Sequence, residues 1–291
     1  MQARLLVFVG AAMLRGTTAL PGGERTVSDA TSVLDDLREE SDELDRVVSE
    51  LSEEQWAHAT PAPGWSIAHQ IAHLAWTDRA ALLAVTDPEA FVKEAEKALA
   101  APDTFVDEGA EAGAALPPAR LLAQWRAGRE ELRRALRTAP ARTRFPWYGL
   151  PMPATSLATA RLMETWAHGR DVTDALRVTK PPTDRLRHVA WIGVRARDFA
   201  FGVRGLGAPE EEFRVELAAP SGDDVWAYGP ENAAQRVTGP ALDFCLLVTR
   251  RAHRADLAVH AEGPDADRWL DIAQAFAGPP GAGREPKGAA G

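Results

Sequence analysis

Apolar residues recur at helical spacing in four long stretches of this chain, after which the period changes. Val33, Leu34, Leu37, Leu44, Val47, Val48 and Leu51 predict a first long helix reaching Ser52. Ile67, Ile71, Leu74 and Leu82 predict a second. It is approached through PAPGWS, where Pro61 and Pro63 keep the chain extended, Gly64 permits a sharp bend and Ser66 can cap the first turn. A shorter helical piece at residues 88–99 leads into a loop at 101–116 that is rich in Ala, Gly, Asp and Glu. Pro117 and Pro118 then open a third amphipathic helix through Leu121, Leu122, Trp125, Leu132 and Leu136. The apolar stretch FPWYGLPMP (residues 145–153) cannot be helical because of its prolines, and it is expected to form a pocket wall. The fourth long helix spans residues 155–178, with Leu157, Val172, Ala175 and Leu176 on its core stripe.

The second half reads differently. Residues 185–203 look helical, whereas FRVELAAP (213–220), VWAYGP (225–230) and QRVTG (235–239) read as short strands separated by turns. Helical segments at 241–251 and 265–277 flank a further strand at 256–261. The expected class is α+β: a helical bundle over residues 27–180 and a small α+β domain over 181–277. Disordered extensions are expected at 1–26 and 278–291, since GPPGAGREPKGAAG has nothing to bury. The run Leu5 to Leu14 is too short to span a bilayer, and Arg15 follows without a clear small-residue cleavage site. The organised pattern begins just after Val27, so the native chain is expected to start near that residue.

Composition narrows the function classes. The 291 residues are 45% hydrophobic and 26% charged, ordinary for a globular chain with room for two cores. A net charge of −9 argues against a nucleic-acid surface, which needs concentrated positive charge. Ten acidic and two basic residues between Asp35 and Glu54 read as a solvated helix face. Cys245 is the sole cysteine, and among Leu242, Phe244, Leu246 and Leu247 it reads as a packed thiol in a reducing cytoplasm.

Candidate chemistry sits on the second and fourth helices. His69, His73, Trp76 and Ala80 form a second face beside the apolar stripe of the second helix. On the fourth, Glu164 and His168 are four apart and fall within the core stripe, where a carboxylate is costly unless paired or bound to a metal. The expectation is a His, Glu, His metal site between two packed helices. His73 with Glu164 and His168 is one ligand set. His69 and His73, also four apart, with one residue of the later helix, is another. Asp171 and Asp78 are candidates to hydrogen-bond the ligating imidazoles from behind.

The pairing of GWSIAHQIAHLAW with RLMETWAHGRDV resembles the mycothiol-dependent maleylpyruvate isomerase family, over residues 30–277. It resembles in particular an actinobacterial subfamily labelled only as metal-binding, and the later segment resembles a region that has carried the label of wyosine base formation. The resemblance implies a DinB-like four-helix bundle holding a divalent metal, usually zinc, followed by a region similar to sterol carrier folds. It carries the metal ligands over to His73, Glu164 and His168, and an active-site arginine to Arg250 or Arg251. His69 matches no ligand position of the family.

What the resemblance implies chemically is a small-molecule thiol, mycothiol, activated as a thiolate at the open position of a three-ligand zinc. The thiolate would add to the double bond of maleylpyruvate, the remaining single bond would rotate, and elimination would give fumarylpyruvate. The same site could transfer the thiol to other electrophiles. Arg250 or Arg251 would grip a substrate carboxylate through paired N–H donors. Trp65, Trp76, Trp147 and Trp166 are candidates to line the cosubstrate pocket, or to pack. The expected partners are thus a thiol and an electrophile, with no nucleic acid and no membrane, and a homodimer stays open. Two other readings compete: a non-catalytic metal or small-molecule binding protein with a sterol-carrier-like apolar pocket, and tRNA modification. Acidic charge and the lack of a cysteine cluster count against the last.

Overall fold

The computed structural model describes residues 27–101, 104–140, 142–148, 151–222, 224–278 and 281–288. The expected extension at 1–26 and start near Val27 lie outside the described residues, apart from Val27 itself. The chain divides into two compact units, and the described residues up to Lys180 belong to the first and those from Pro181 onward to the second.

The first unit is helical. Helix α1 spans Val27–Ser49, and the chain turns at Ser52, whose side chain caps the short helix α2 (Glu53–Trp56) in a reciprocal box with Gln55. Helices α3 (Ile67–Thr86), α4 (Pro88–Ala100), α5 (Phe105–Ala114) and α6 (Pro118–Thr138) follow. Two-residue strands β1 (Arg144–Phe145) and β2 (Met152–Pro153) pair antiparallel and deliver the chain into α7 (Ala154–Leu176). The described residues of the stretch, 145–148 and 151–153, are therefore non-helical, as its prolines require.

The apolar stripes meet as their spacing predicts. Leu44 and Val48 of α1, Ile67, Ile71 and Leu74 of α3, Leu121 and Trp125 of α6 and Val172 of α7 form one buried cluster. Val33 and Leu34, Ala81, Leu132 and Leu136, and Leu157 and Ala158 from the same four helices form a second. Each fully buried Leu or Ile contributes about 2 kcal/mol of transfer free energy. The core thus sits among the four long helices.

Two expectations are corrected. Residues 105–114, expected within a loop, form α5, which packs on α3 through glycines. A Cβ on Gly109 would lie 2.8 Å from the Trp76 ring, and one on Gly113 would lie 2.7 Å from Ala72 Cβ. The acidic face of α1 is not simply solvated either. Asp45 is buried and takes Arg126 through two of its nitrogens, with Arg129 beside it, and buried Glu40 takes Lys180. Burial without these cations would cost several kcal/mol per carboxylate.

The second unit is α+β. Helices α8 (Leu186–Arg195) and α9 (Arg197–Val203) replace the single expected helix, with a break at Ala196. Strands β3 (Arg214–Ala218), β4 (Val225–Tyr228), β5 (Arg236–Pro240) and β6 (His260–Glu262) form a mixed sheet in the order β4-β3-β5-β6. β3 pairs antiparallel with β4 and parallel with β5, and β5 pairs antiparallel with β6. Helix α10 (Ala241–Val248) leaves β5, and a single turn of 3-10 helix at Arg254–Asp256 precedes β6 where one longer strand was expected. Helix α11 (Pro264–Ile272) closes the unit, its Trp269 packed edge-on against Phe213 and Phe244. Cys245 is fully buried, and burial pushes its thiol well above the ordinary value, as a packed rather than a reactive thiol requires. Among the described residues no helix is long and apolar enough to cross a membrane.

The contact between α5 and α3 yields a test. Gly→Ala in a helix gains up to about 1 kcal/mol per site in propensity, whereas forcing a methyl into a close-packed contact costs about 1–3 kcal/mol. The double variant Gly109→Ala, Gly113→Ala is expected to lose about 2 kcal/mol in urea unfolding. A gain in stability would mean that the close approach is not required.

Candidate metal centre

The centre is built from a turn and two helices. Residues 58–67 fold back on themselves, with an isolated bridge between Ala59 and Ser66, an Ile67 N–H to His58 carbonyl bond of 3.1 Å, and Gly64 at a φ of 79° that favours glycine. Ser66 is the N-cap residue of α3, and its N–H and hydroxyl lie 3.3 and 2.8 Å from His69 Nδ1. The turn places Trp65 over the first two turns of the helix. Its ring centroid lies 5.3 Å from that of His73 and 5.9 Å from that of His168, the latter pair stacked at 19°. The Trp76 ring centroid also lies 6.0 Å from that of His73.

Helix α7 supplies the remaining groups. Glu164 Oε2 lies 3.3 Å from His73 Nε2 and 3.1 Å from His168 Nε2, and the two imidazole centroids are 4.4 Å apart. One donor atom from each of these residues can be chosen so that all lie within 4.8 Å of one another. The Glu164 side chain is 22% exposed and that of His73 9%. Burial alone would push the Glu164 carboxyl up. Hydrogen bonds and positive charge from His168 and His73 more than offset it, holding the group well below its ordinary value. An anionic oxygen flanked by two imidazole nitrogens is a donor set for a metal ion, and His73, Glu164 and His168 could hold one. In addition, His73 Nδ1 is buried with no hydrogen-bond partner among the described residues.

His69 does not join this group. Its Nδ1 accepts the Ser66 N–H, which leaves Nε2 to donate to Glu111 of α5 at 2.7 Å. Asp107, one turn earlier on α5, accepts the Trp65 Nε1–H at 3.0 Å. The alternative pair of His69 and His73 is therefore not the one brought together. The expected backing carboxylates are displaced as well. Asp171 lies 4.0 Å from His168 Nδ1, and Asp78 is engaged by buried Arg161 at 2.9 Å. It is Gln70 that meets His168 Nδ1, at 2.5 Å. Gln70, Asp107 and Glu111 escaped the sequence reading. The available signals were the spacing of Gln70 three residues before His73, and the four-residue spacing of Asp107 and Glu111.

The other candidates are spread more widely. Trp147 stacks on Phe91 at 5.5 Å, and Tyr148 bridges Phe91, Trp147 and Phe105, the last of which packs on Trp76. The aromatic wall thus runs from His73 outward to the 145–148 stretch, while Trp166 is buried in α7. Arg250 and Arg251 belong to the second unit, just beyond α10. Arg250 adopts a left-handed φ of 58°, and burial together with the neighbouring charge of Arg204 pulls its pKa below the ordinary arginine value. Arg251 donates to the Thr249 carbonyl at 2.8 Å.

Residues 37–173 match the family profile described as mycothiol maleylpyruvate isomerase N-terminal domain, and residues 209–262 match one described as wyosine base formation. Uncharacterized proteins from two Mycobacterium tuberculosis strains are each 57% identical over 249 residues, covering 86% of this chain and 96% of theirs. The chain belongs to the mycothiol maleylpyruvate isomerase N-terminal domain family. A crystal structure of the mycothiol-dependent maleylpyruvate isomerase shares this fold at a TM-score of 0.54 and 18% identity, covering 81% of this chain and 95% of that one. A histidine-to-alanine mutant of that isomerase matches equally well.

The aromatic wall has a measurable signature. Burial, then the negative charge of Glu94, with Arg161 opposing, pushes the Tyr148 phenol up to about 12, and burial raises Tyr228 further; these are the only two tyrosines. The unfolded chain ionises its tyrosines near pH 10 and the folded protein only above that. Stability from this source is thus complete below pH 10 and falls as pH rises from 10 towards 12. Phenolate absorbance in the native protein is expected to stay flat through pH 10.

Proposed function

We propose that this protein is a zinc-dependent enzyme that uses mycothiol, transferring the thiol to a small electrophile or assisting the isomerisation of one such as maleylpyruvate. The observation that carries the reading is the convergence of two imidazole nitrogens on one oxygen of Glu164, in a member of this family. In the same reading the first unit is a DinB-like four-helix bundle, the second resembles sterol carrier folds, and the protein works in the cytoplasm, where its single cysteine stays reduced.

His73 and His168 would donate imidazole nitrogens to the ion and Glu164 an anionic oxygen. Zinc bound there supplies positive charge that lowers the pKa of an incoming thiol. The rest is done by the chain. Trp65 stacks on His168 and packs, with Trp76, beside His73, and these contacts would hold the rings against rotation. Tyr148 stays a neutral phenol at working pH, able to donate a hydrogen bond from the aromatic wall. Within the second unit Arg250 is the stronger candidate for a substrate carboxylate, because its positive neighbour Arg204 makes an anion welcome.

Elemental mass spectrometry tests the site directly. The wild type is expected to hold about one zinc per chain, lost in His73→Ala, Glu164→Ala and His168→Ala and kept in His69→Ala. Equal loss from His69→Ala would overturn this ligand set. With zinc in place, the protein is expected to consume mycothiol when given maleylpyruvate or a panel of electrophiles. A zinc-loaded protein that consumes none would instead be a binding protein.

A further inference from the structure

The hydrogen bonds behind His168 can be followed atom by atom, and they put a proton on its Nδ1. Thr60 donates its backbone N–H and its hydroxyl to the Trp65 carbonyl, each at 2.8 Å. The hydroxyl has one proton, so towards its other neighbour the Thr60 oxygen can only accept. That neighbour is the Gln70 side chain at 2.8 Å, which must therefore present its NH2 group to Thr60. The amide orientation is thereby set, and Gln70 Oε1 faces His168 Nδ1 at 2.5 Å. An amide oxygen carries no proton, so His168 Nδ1 must supply one. In the neutral ring Nε2 then carries the lone pair, and it lies 3.1 Å from Glu164 Oε2. Two acceptors in that relation are joined either by a metal ion between them or by a second proton that turns the ring into an imidazolium.

We propose that Gln70, oriented by Thr60, is the positioning residue that locks His168 in its Nδ1–H form and so keeps Nε2 available as a metal donor. Gln70 is completely buried, which makes the bond strong and leaves no water to replace it. The carbonyl at the far end belongs to Trp65, whose ring stacks on His168. The turn before α3 therefore holds this imidazole both by its edge and by its face. The inference rests on the metal reading above, and its test separates the two.

Zinc affinity, read by chelator competition, should fall about 10–100-fold in Gln70→Met, which keeps the length of the side chain and loses the acceptor. Gln70→Glu restores an acceptor and should bind close to wild type. Isosteric Thr60→Val lets the amide turn and should weaken zinc by a smaller factor, and it keeps the test intact if Gln70→Met does not fold. Nitrogen-15 NMR of the metal-free protein should place the proton of neutral His168 on Nδ1, with the proton moving to Nε2 in Gln70→Met. Wild-type affinity in Gln70→Met, or a proton on Nε2 in the wild type, would overturn the proposal. A wild type that binds no zinc would remove the metal reading, and the NMR result would still decide the role of Gln70.

Discussion

A carboxylate set into the apolar face of a helix must be matched, and Glu164 is the point from which the first unit can be understood. One oxygen of this residue meets imidazoles from α3 and from its own helix. A buried carboxylate with no partner would cost several kcal/mol, comparable with the whole stability of many domains. The two helices therefore cannot slide by a turn without losing both the apolar packing of Ile67, Ile71 and Val172 and the pairing of Glu164. A second buried pair, Asp78 with Arg161, imposes the same register from a position nearby on the same helices. Each alone is weak evidence of net stabilisation, but together they fix how α3 and α7 face each other.

The tight turn before α3 acts on the same point. It puts Trp65 against both imidazoles and sends Thr60 towards Gln70, so its fold-back sets the histidine geometry directly. Helix α5 braces the turn through Asp107, which takes Trp65, and the start of α3 through Glu111, which takes His69. Its glycines let it come close enough for those bonds to form. Charge-assisted bonds of this kind are worth more than neutral ones, and here they fall on residues that flank the centre rather than on its ligands.

Much of this was legible in the sequence. The stripe of Ile67, Ile71 and Leu74 announces α3, and a Glu and a His four apart on the core face of α7 call for a partner such as His73, because apolar periodicity and misplaced charge are strong local signals. Helix α5 was not legible. DEGAEAGA has no apolar period and glycines that lower helix propensity, and what makes it a helix is the surface of Trp76 and Ala72 against which it packs. Gln70 was invisible for a different reason, since a lone amide in a helix carries no signal until its neighbours are known. Glu40 and Asp45 were hidden in a charge run whose average suits water, while these two residues in particular face Lys180 and Arg126.

The two imidazoles of the centre are held unequally, and this asymmetry bears on chemistry. His168 is tied at Nδ1 to Gln70 and stacked against Trp65, whereas His73 Nδ1 has no hydrogen-bond partner among the described residues and its ring packs near Trp65 and Trp76. A hydrogen bond at the far nitrogen raises the basicity of the ring and fixes its direction; packing alone fixes only the direction. His168 is thus the better electron donor of the two, and His73 the weaker. A divalent ion held there, as proposed, would keep more of its charge with one backed imidazole, one unbacked imidazole and an anionic oxygen than with every ligand backed. In the proposed reading that charge would act on the thiol at the remaining position.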